Sequence, residues 1–311
     1  MRLGFGLGLE YSKLSGGGSG YNAFTIEVKT DNRGTSNDNQ FKFTGAVGDY
    51  DVIAKQNGTQ VATFNDLSGE QTITLPSSGV YDLEVSAKEV NGFDRIDFDN
   101  VGDKLKLTDI KQWGTIAWSS FNDAFYGCNN MKVTATDVPN LSNVTDVRSM
   151  FRNTTSANPD VSNWDVSSVT DMSYMFFSAT SANPDVSNWD VSSVTDMNSM
   201  FRGASSANPD VSNWDVSSVT NMRLMFFSAT SANPDVSNWD VSNVTNMDRM
   251  FQSSNLSVNN LTACYENWSQ LSLQQNVSFG AGYTKYNASG QAGRDILVNT
   301  YNWTIEDGGQ V

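Results

Sequence analysis

Histidine is absent from the 311 residues. With it go the commonest general base, the Ser-His and Cys-His dyads, and most zinc sites. Cysteine is scarce: Cys128 and Cys264 are the whole complement, 136 residues apart. A disulfide needs Cα atoms within about 7 Å. In an array of stacked repeats that separation becomes several layers, so both thiols are expected free and buried. Two cysteines leave the redox compartment open. Charge is sparse and one-sided, with 17% charged residues, 34 Asp and Glu against 19 Lys and Arg, and a net charge of −15. That balance counts against nucleic acid as a partner, because phosphate contacts need Lys and Arg. No stretch approaches the roughly 18 apolar residues of a membrane span, and the N-terminus has no continuous apolar run of the kind a secretion signal requires.

Asn, Ser, Thr, Asp and Gly fill the space these absences leave, the composition of an extracellular β-rich or repeat protein. The chain starts MRLGFGLGLEYSKLSGGGSG, where Leu3, Phe5, Leu7 and Leu9 alternate with Arg2, Gly4, Gly6 and Gly8. A period of two suits a short strand, and Gly16 to Gly20 read as a flexible tether. Such a tip is ordered only when something holds it, so residues 1–20 are expected to be a docking arm, with those four apolar residues facing the partner. Residues 21–103 carry short alternating runs (FTIEVKT, FKFTGAV, YDVIAKQ, QVATF, TITLP, YDLEVSA, RIDFD) between turn clusters, the pattern of a small antiparallel β-sandwich. Asn57-Gly58 marks a hairpin. Asp94, Asp97, Asp99 and Asp103 lack EF-hand spacing and read as solvated strand and turn residues.

From residue 104 the rhythm changes. The stretch SANPDVSNWDVSSVT stands at 156–170, 181–195 and 206–220, and SANPDVSNWDVSNVT at 231–245, all 25 apart. Within one unit Val161, Trp164, Val166, Val169, Met172, Met175 and Phe176 occupy offsets 0, 3, 5, 8, 11, 14 and 15. Apolar residues fixed at a 20–29-residue period predict a leucine-rich-repeat-like solenoid over 104–257. VSNWDVS is expected to be its strand and VTDMSYMF a helical or 3₁₀ turn on the opposite wall, with Asn-Pro-Asp making the turn between units. Trp164, Trp189, Trp214 and Trp239 should stack at its centre. Residues 258–311 lose the period. NNLTACYENWSQL and ASGQAGRDILVNTY suit helices, NVSFG and NWTIED strands, together a small α+β cap over the open end. The fold class is therefore mainly β.

Two sets of residues are candidates for function. Asp165, Asp190, Asp215 and Asp240 recur at one outward position on successive units. At a spacing of roughly 4.8 Å each pair repels by about 1 kcal/mol in water. Ca2+ could relieve that repulsion through oxygen ligands, or each Asp bonds local backbone N–H groups as a turn residue. Identical copies in identical settings do not separate an acid from a base, which counts against a glycosidase pair. The second set varies between units. Between the apolar anchors stand Arg148-Ser149, Ser173-Tyr174, Asn198-Ser199, Arg223-Leu224 and Asp248-Arg249. After the Phe stand Arg152, Phe177, Arg202, Phe227 and Gln252. This stripe is either a wall under no constraint or the surface that sets specificity. Tyr174, Phe177, Arg202, Arg223, Leu224, Phe227 and Arg249 are its candidate ligand-binding residues, because exposed aromatics and Arg favour interfaces.

The repeated unit NPDVSNWDVSSVTDMSYMF resembles that of the BspA-like leucine-rich-repeat surface proteins. GDKLKLTDIKQWGTIAWSSFNDAFYGC is similar to that family's lead-in to the repeats, and NVSFGAGYTKYNASGQAGRDILVNTYNWTIEDGG to its C-terminal module. The resemblance implies adhesion or scaffolding and carries no catalytic residue over. The Leu/Gly start and Gly/Ser tether are similar to those of some tailed-phage virion proteins, in which an N-terminal arm anchors an exposed domain. The expectation is a non-enzymatic virion surface protein (capsid decoration, head fibre or tail appendage), docked to capsid or tail proteins through residues 1–20 and presenting the solenoid to a host surface protein or polysaccharide. A bacterial cell-surface or secreted adhesin is the alternative, and a polysaccharide hydrolase ranks third. A homo-oligomer stays open.

Overall fold

The computed structural model describes residues 23–88 and 92–311. The expected docking arm, with Leu3, Phe5, Leu7 and Leu9, lies outside the described residues.

The alternating runs of the N-terminal part do form strands, and the period of two decides what each buries. Strand β1 (Phe24–Lys29) hides Phe24, Ile26 and Val28. Strand β2 (Gln40–Lys42) hides Phe41. Strand β3 (Asp49–Gln56) hides Tyr50, Val52 and Ala54 and turns at Asn57-Gly58 into β4 (Thr59–Ser68). Both turn residues have positive φ, +50° and +76°, as a two-residue hairpin of this hand requires. Strands β5 (Thr72–Thr74) and β6 (Val80–Ala87) follow. The larger sheet has the order β4-β3-β6-β1-β7-β8, where β7 is Leu107–Gln112 and β8 is Lys132–Val133. Its pairs are antiparallel except β7–β8. The β2–β5 pair forms a second, smaller layer. Phe43, just past β2, closes on Tyr50 of the large sheet with centroids 5.4 Å apart. The sheet runs on past residue 103, since β7 and β8 extend it toward the repeats.

Asp103 is not a solvated turn residue. It is fully buried, as is Lys106, whose Nζ lies 3.8 Å from its carboxylate. Asp103 accepts the backbone N–H groups of Thr35, Ser36 and Lys42 and the Ser36 hydroxyl. Lys106 donates to the carbonyls of Ser36, Asn37 and Gln40. The pair thus organises the 34–42 loop, supplying the partners that buried charges require. Burial alone pushes the Asp103 carboxyl up, but the Ser36 and Lys42 bonds and the Lys106 charge outweigh it and leave it below the ordinary value.

In the repeat half the turns expected at VTDMSYMF are present and also carry the inter-unit bonds, while the strand expected at VSNWDVS is absent. VSNWDVS is not a strand. Its backbone closes on itself through Trp164 N–H to Val161 O (3.1 Å) and Val169 N–H to Val166 O (2.9 Å), while Asp160 and Asp165 cap the turns by accepting from Ser162 and Ser167. Side chains that bond the backbone two residues on compete with a ladder. The ladder lies on the DMSYMF side. There Met172, Tyr174, Phe176 and Ser178 donate to Asp196, Asn198, Met200 and Arg202 of the next unit at 2.7–3.0 Å. The intervening N–H groups of Met175, Phe177 and Ala179 bond three residues back in their own unit. Parallel bridges Asp146↔Asp171, Asp171↔Asp196, Asp196↔Asn221 and Asn221↔Asn246 mark the same register. Local and inter-unit bonds alternate because the backbone is left-handed at two positions per unit: 149 and 153, 174 and 178, 199 and 203, 224 and 228, 249 and 253. Only position 203 is Gly. The Asn of each Asn-Pro-Asp does more than turn the chain, since Oδ1 of Asn158, Asn183 and Asn208 accepts the N–H of the next unit's Asn at 2.8–2.9 Å.

Inside, Phe151, Phe176, Phe201, Phe226 and Phe251 form a parallel column with centroids 5.5–5.6 Å apart. Trp189, Trp214 and Trp239 form a second column at 6.3–6.4 Å, each indole N–H donating to the carbonyl of the Val 28 residues earlier. Trp164 is not part of it. Its indole N–H is buried without a partner, and its ring meets Trp113 edge-on at 5.5 Å and 89°.

The C-terminal part continues both columns. Helix α1 (Val258–Trp268) starts at Ser257, whose side chain accepts from Asn260 N–H. Its Trp268 indole repeats the bond to a preceding Val, at Val236 O (3.2 Å). Strand β9 (Ser278–Gly280) takes the place of a further unit, receiving Met247 and Phe251 N–H, and Phe279 meets Phe251 edge-on. Helix α2 (Gln291–Tyr301) and β10 (Thr304–Glu306), parallel to β9, complete it. Cys128 and Cys264 are free and buried.

Two outcomes follow. Phe201→Ala opens the middle of the Phe column and should cost about 3–5 kcal/mol in denaturant unfolding; a loss below about 1 kcal/mol would show that the column does not hold the stack. Asp103 ionises more readily folded than unfolded, so its contribution is present above the unfolded carboxyl pKa and is lost as pH falls through the lower, folded one. Asp103→Asn should therefore lower stability at neutral pH by about 3–5 kcal/mol and shallow the acid limb of a stability–pH curve.

Candidate functional site

The variable stripe lies along the laddered wall. The first residue of each pair sends its N–H to the Asp or Asn two before it: Arg148, Ser173, Asn198, Arg223 and Asp248 bond Asp146, Asp171, Asp196, Asn221 and Asn246 at 2.7–3.2 Å. The second residue of each pair is one of the two left-handed positions. Tyr174 and Leu224 stand there at φ +59° and +57°, strained values for bulky side chains. Burial pushes the Asp146 carboxyl up, and the neighbouring Asp171 and Asp123 charges add to that. Further along the same line the sequence changes to Asn221 and Asn246. The Asn221 amide then donates to both oxygens of Asp196, so the line does not continue as carboxylates.

The residues after the Phe make a different arrangement. Tyr126, Arg152, Phe177, Arg202 and Phe227 alternate ring and guanidinium on successive units. Arg152 lies 4.6 Å from the Tyr126 centroid and 4.9 Å from Phe177. Arg202 lies 5.2 Å from Phe177 and 5.1 Å from Phe227. Tyr174 flanks the series, 5.3 Å from Arg152 and 5.9 Å from the Phe177 ring, and its hydroxyl accepts from Asn198 Nδ2. Each guanidinium is thus held between rings by attraction to their faces, and the Arg152 Nε is buried without a hydrogen-bond partner. All five members are half-buried.

Of the residues expected at a ligand surface, Tyr174, Phe177, Arg202 and Phe227 come together. Arg223 and Arg249 instead share Asp248, at 3.4 and 3.9 Å. Leu224 is not exposed. It is only 3% exposed and belongs to the packed wall. Arg152 and Tyr126 complete the series and were not among the expected ligand residues; Arg152 could have been found from its holding the same place in its unit as Arg202.

Asp165, Asp190, Asp215 and Asp240 each accept the backbone N–H of the Ser two residues on, at 3.0–3.2 Å. Asp165 and Asp190 also accept the hydroxyl of that Ser at 2.6 Å. These hydroxyl and backbone bonds hold Asp165 below the ordinary carboxylate value, and Asp160, Asp185 and Asp210 are lowered in the same way. Among the described residues no group of three or more His, Cys, Asp or Glu is placed to hold a metal ion, and no helix is long and apolar enough to cross a membrane.

A family model described as Mycoplasma protein of unknown function, DUF285, matches residues 119–211 and 177–289. Together the matches run from 119 to 289, more than half of the chain. No curated protein and no solved structure matches it.

The local bonds of Asp165 predict that Asp165→Ala costs about 1 kcal/mol or less and that millimolar Ca2+ leaves the melting temperature unchanged. A rise with Ca2+ that Asp165→Ala abolishes would restore the cation reading.

Proposed function

The chain belongs to the DUF285 family, and from that premise we propose that it is a non-enzymatic surface protein whose stacked units form a leucine-rich-repeat-like solenoid for binding a host surface protein or polysaccharide. The observation that carries this reading is the half-buried ring and guanidinium series from Tyr126 to Phe227, laid along one wall of a rigid stack. A site on rigid elements keeps its geometry without an ordering cost on binding. The carboxylates support the same choice. Acid and base roles need two pKa values driven apart, whereas Asp160, Asp165, Asp185 and Asp210 are all shifted the same way by the same kind of Ser bond.

The place of display we propose first is the virion. The alternating Leu/Phe and Gly start, followed by a Gly/Ser tether, supports an arm that docks to capsid or tail proteins. The second reading is a bacterial cell-surface adhesin of the BspA-like kind, and the family's description as a Mycoplasma protein favours it.

Purified full-length chain incubated with intact bacterial cells should bind saturably and release no new reducing ends from their glycans. Removing residues 2–14 should leave cell binding intact and abolish recovery with assembled particles. Absence of cell binding, or release of reducing ends, would sink the binding role. Recovery of the truncated chain with particles would move the protein to the cell surface.

A further inference from the structure

We propose that Arg152 and Arg202 form a two-point site for an acidic glycan, one that carries carboxylate or sulfate groups on widely spaced sugars. The proposal rests on the surface-binding reading above and names the ligand class for it.

The first observation is a charge without its counter-charge. Acidic residues outnumber basic ones 34 to 19, and the other Arg residues of this wall find carboxylates: Arg148 reaches Asp123, and Arg223 and Arg249 reach Asp248. The side chains of Arg152 and Arg202 make no ion pair or hydrogen bond among the described residues, and Arg152 Nε is buried without a partner. Rings cover the faces of both guanidiniums, so what remains is the planar donor edge, which at Arg152 means the two Nη groups because Nε is closed off. That edge matches the two oxygens of a carboxylate or sulfate.

The second observation is spacing. Both guanidiniums touch the same ring, Phe177, at 4.9 and 5.2 Å, one from each neighbouring unit, which puts them at most about 10 Å apart across a cation–π sandwich. A ligand meeting both must repeat its charge at that distance. Nucleic acid strands carry one phosphate per roughly 3.4 Å of helix rise, so most of their charges would fall against a chain of net charge −15. A polysaccharide with one acidic sugar every second residue, its uncharged sugar lying over the edge of Phe177, places charge only where the guanidiniums are.

The wall also explains why the residue type alternates. Identical Arg on neighbouring units would stand one unit apart and repel. Interposing Phe177 separates the charges, and Phe227 holds Arg202 from its other side. Tyr174, whose hydroxyl is held by Asn198, adds a third ring face beside Arg152 at 5.3 Å.

The test uses the full chain and titration calorimetry at low and high salt against hyaluronan (one carboxylate per disaccharide), kappa-carrageenan (one sulfate per disaccharide), neutral dextran and single-stranded DNA. Binding is expected for a carboxylated or sulfated glycan, weaker with added salt, and absent for dextran; the two acidic polymers separate carboxylate from sulfate. Arg152→Gln with Arg202→Gln should weaken binding by about tenfold or more for each guanidinium lost. The Lys versions should recover part of it, because charge returns without the planar fork. Should the double variant fail to fold, the unmodified chain answers the question: bound hyaluronan or kappa-carrageenan should protect Arg152 and Arg202 from phenylglyoxal. Unchanged binding by a folded double variant, no protection, or preference for DNA would overturn the proposal. A chain that binds cells but neither acidic glycan keeps the surface-binding role and loses this site.

Discussion

The repeat half depends on successive units sitting in register, about 5.5 Å apart along the Phe column. The backbone ladder and the ring column require the same spacing. Four inter-unit N–H bonds from Met172 to Ser178 fix one wall, and the parallel rings of Phe176, Phe201 and Phe226 fill the core behind it. Neither would suffice alone. A ladder without the rings leaves an empty core, and rings without the ladder leave buried carbonyls unmet. This is why the Val, Trp, Met and Phe anchors do not vary among the four 25-residue copies. It also explains why β9 and α1 imitate a unit at the far end, with Gly280 accepting from Phe251 and Trp268 bonding Val236.

The same register turns single side chains into lines. A residue type placed once per unit becomes a column, so Asn158, Asn183 and Asn208 become a stitched seam. The Asp line at 146, 171 and 196 has to give way to Asn221 and Asn246 before like charges accumulate. Arg152 and Arg202 escape that problem because Phe177 stands between them. Spacing, burial and orientation of the guanidiniums are thus consequences of the scaffold.

Much of this was legible in the sequence, and the part that was not has physical causes. The 25-residue period and the buried anchors are written in Val161, Trp164, Met172 and Phe176. The C-terminal helices and strands follow from their own periodicities. Which wall carries the ladder was hidden, because VSNWDVS alternates like a strand while its Asp and Ser side chains divert the backbone into turns. The left-handed positions were hidden because only position 203 is Gly; Tyr174 and Leu224 give no warning, and Leu224 therefore reads as exposed when it is packed. Asp103 reads as one more acidic turn residue because the groups that bury it, at 35–42, lie some 60 residues away. The alternation of Arg152, Phe177, Arg202 and Phe227 was visible as letters, yet its meaning needs the third dimension that brings the side chains face to face.

If units contact only their neighbours, a whole one can be removed without harming the rest. Deleting residues 171–195 takes out one period and joins Thr170 to Asp196, restoring the SSVT-DM junction. It also removes Phe177, so that Arg152 and Arg202 fall on adjacent units. The direct measurement is thermal unfolding of this shortened chain by circular dichroism. A single cooperative transition with native-like spectrum is the result predicted. A chain that unfolds without cooperativity, or does not fold, would contradict an account in which register between neighbours holds the repeat half together.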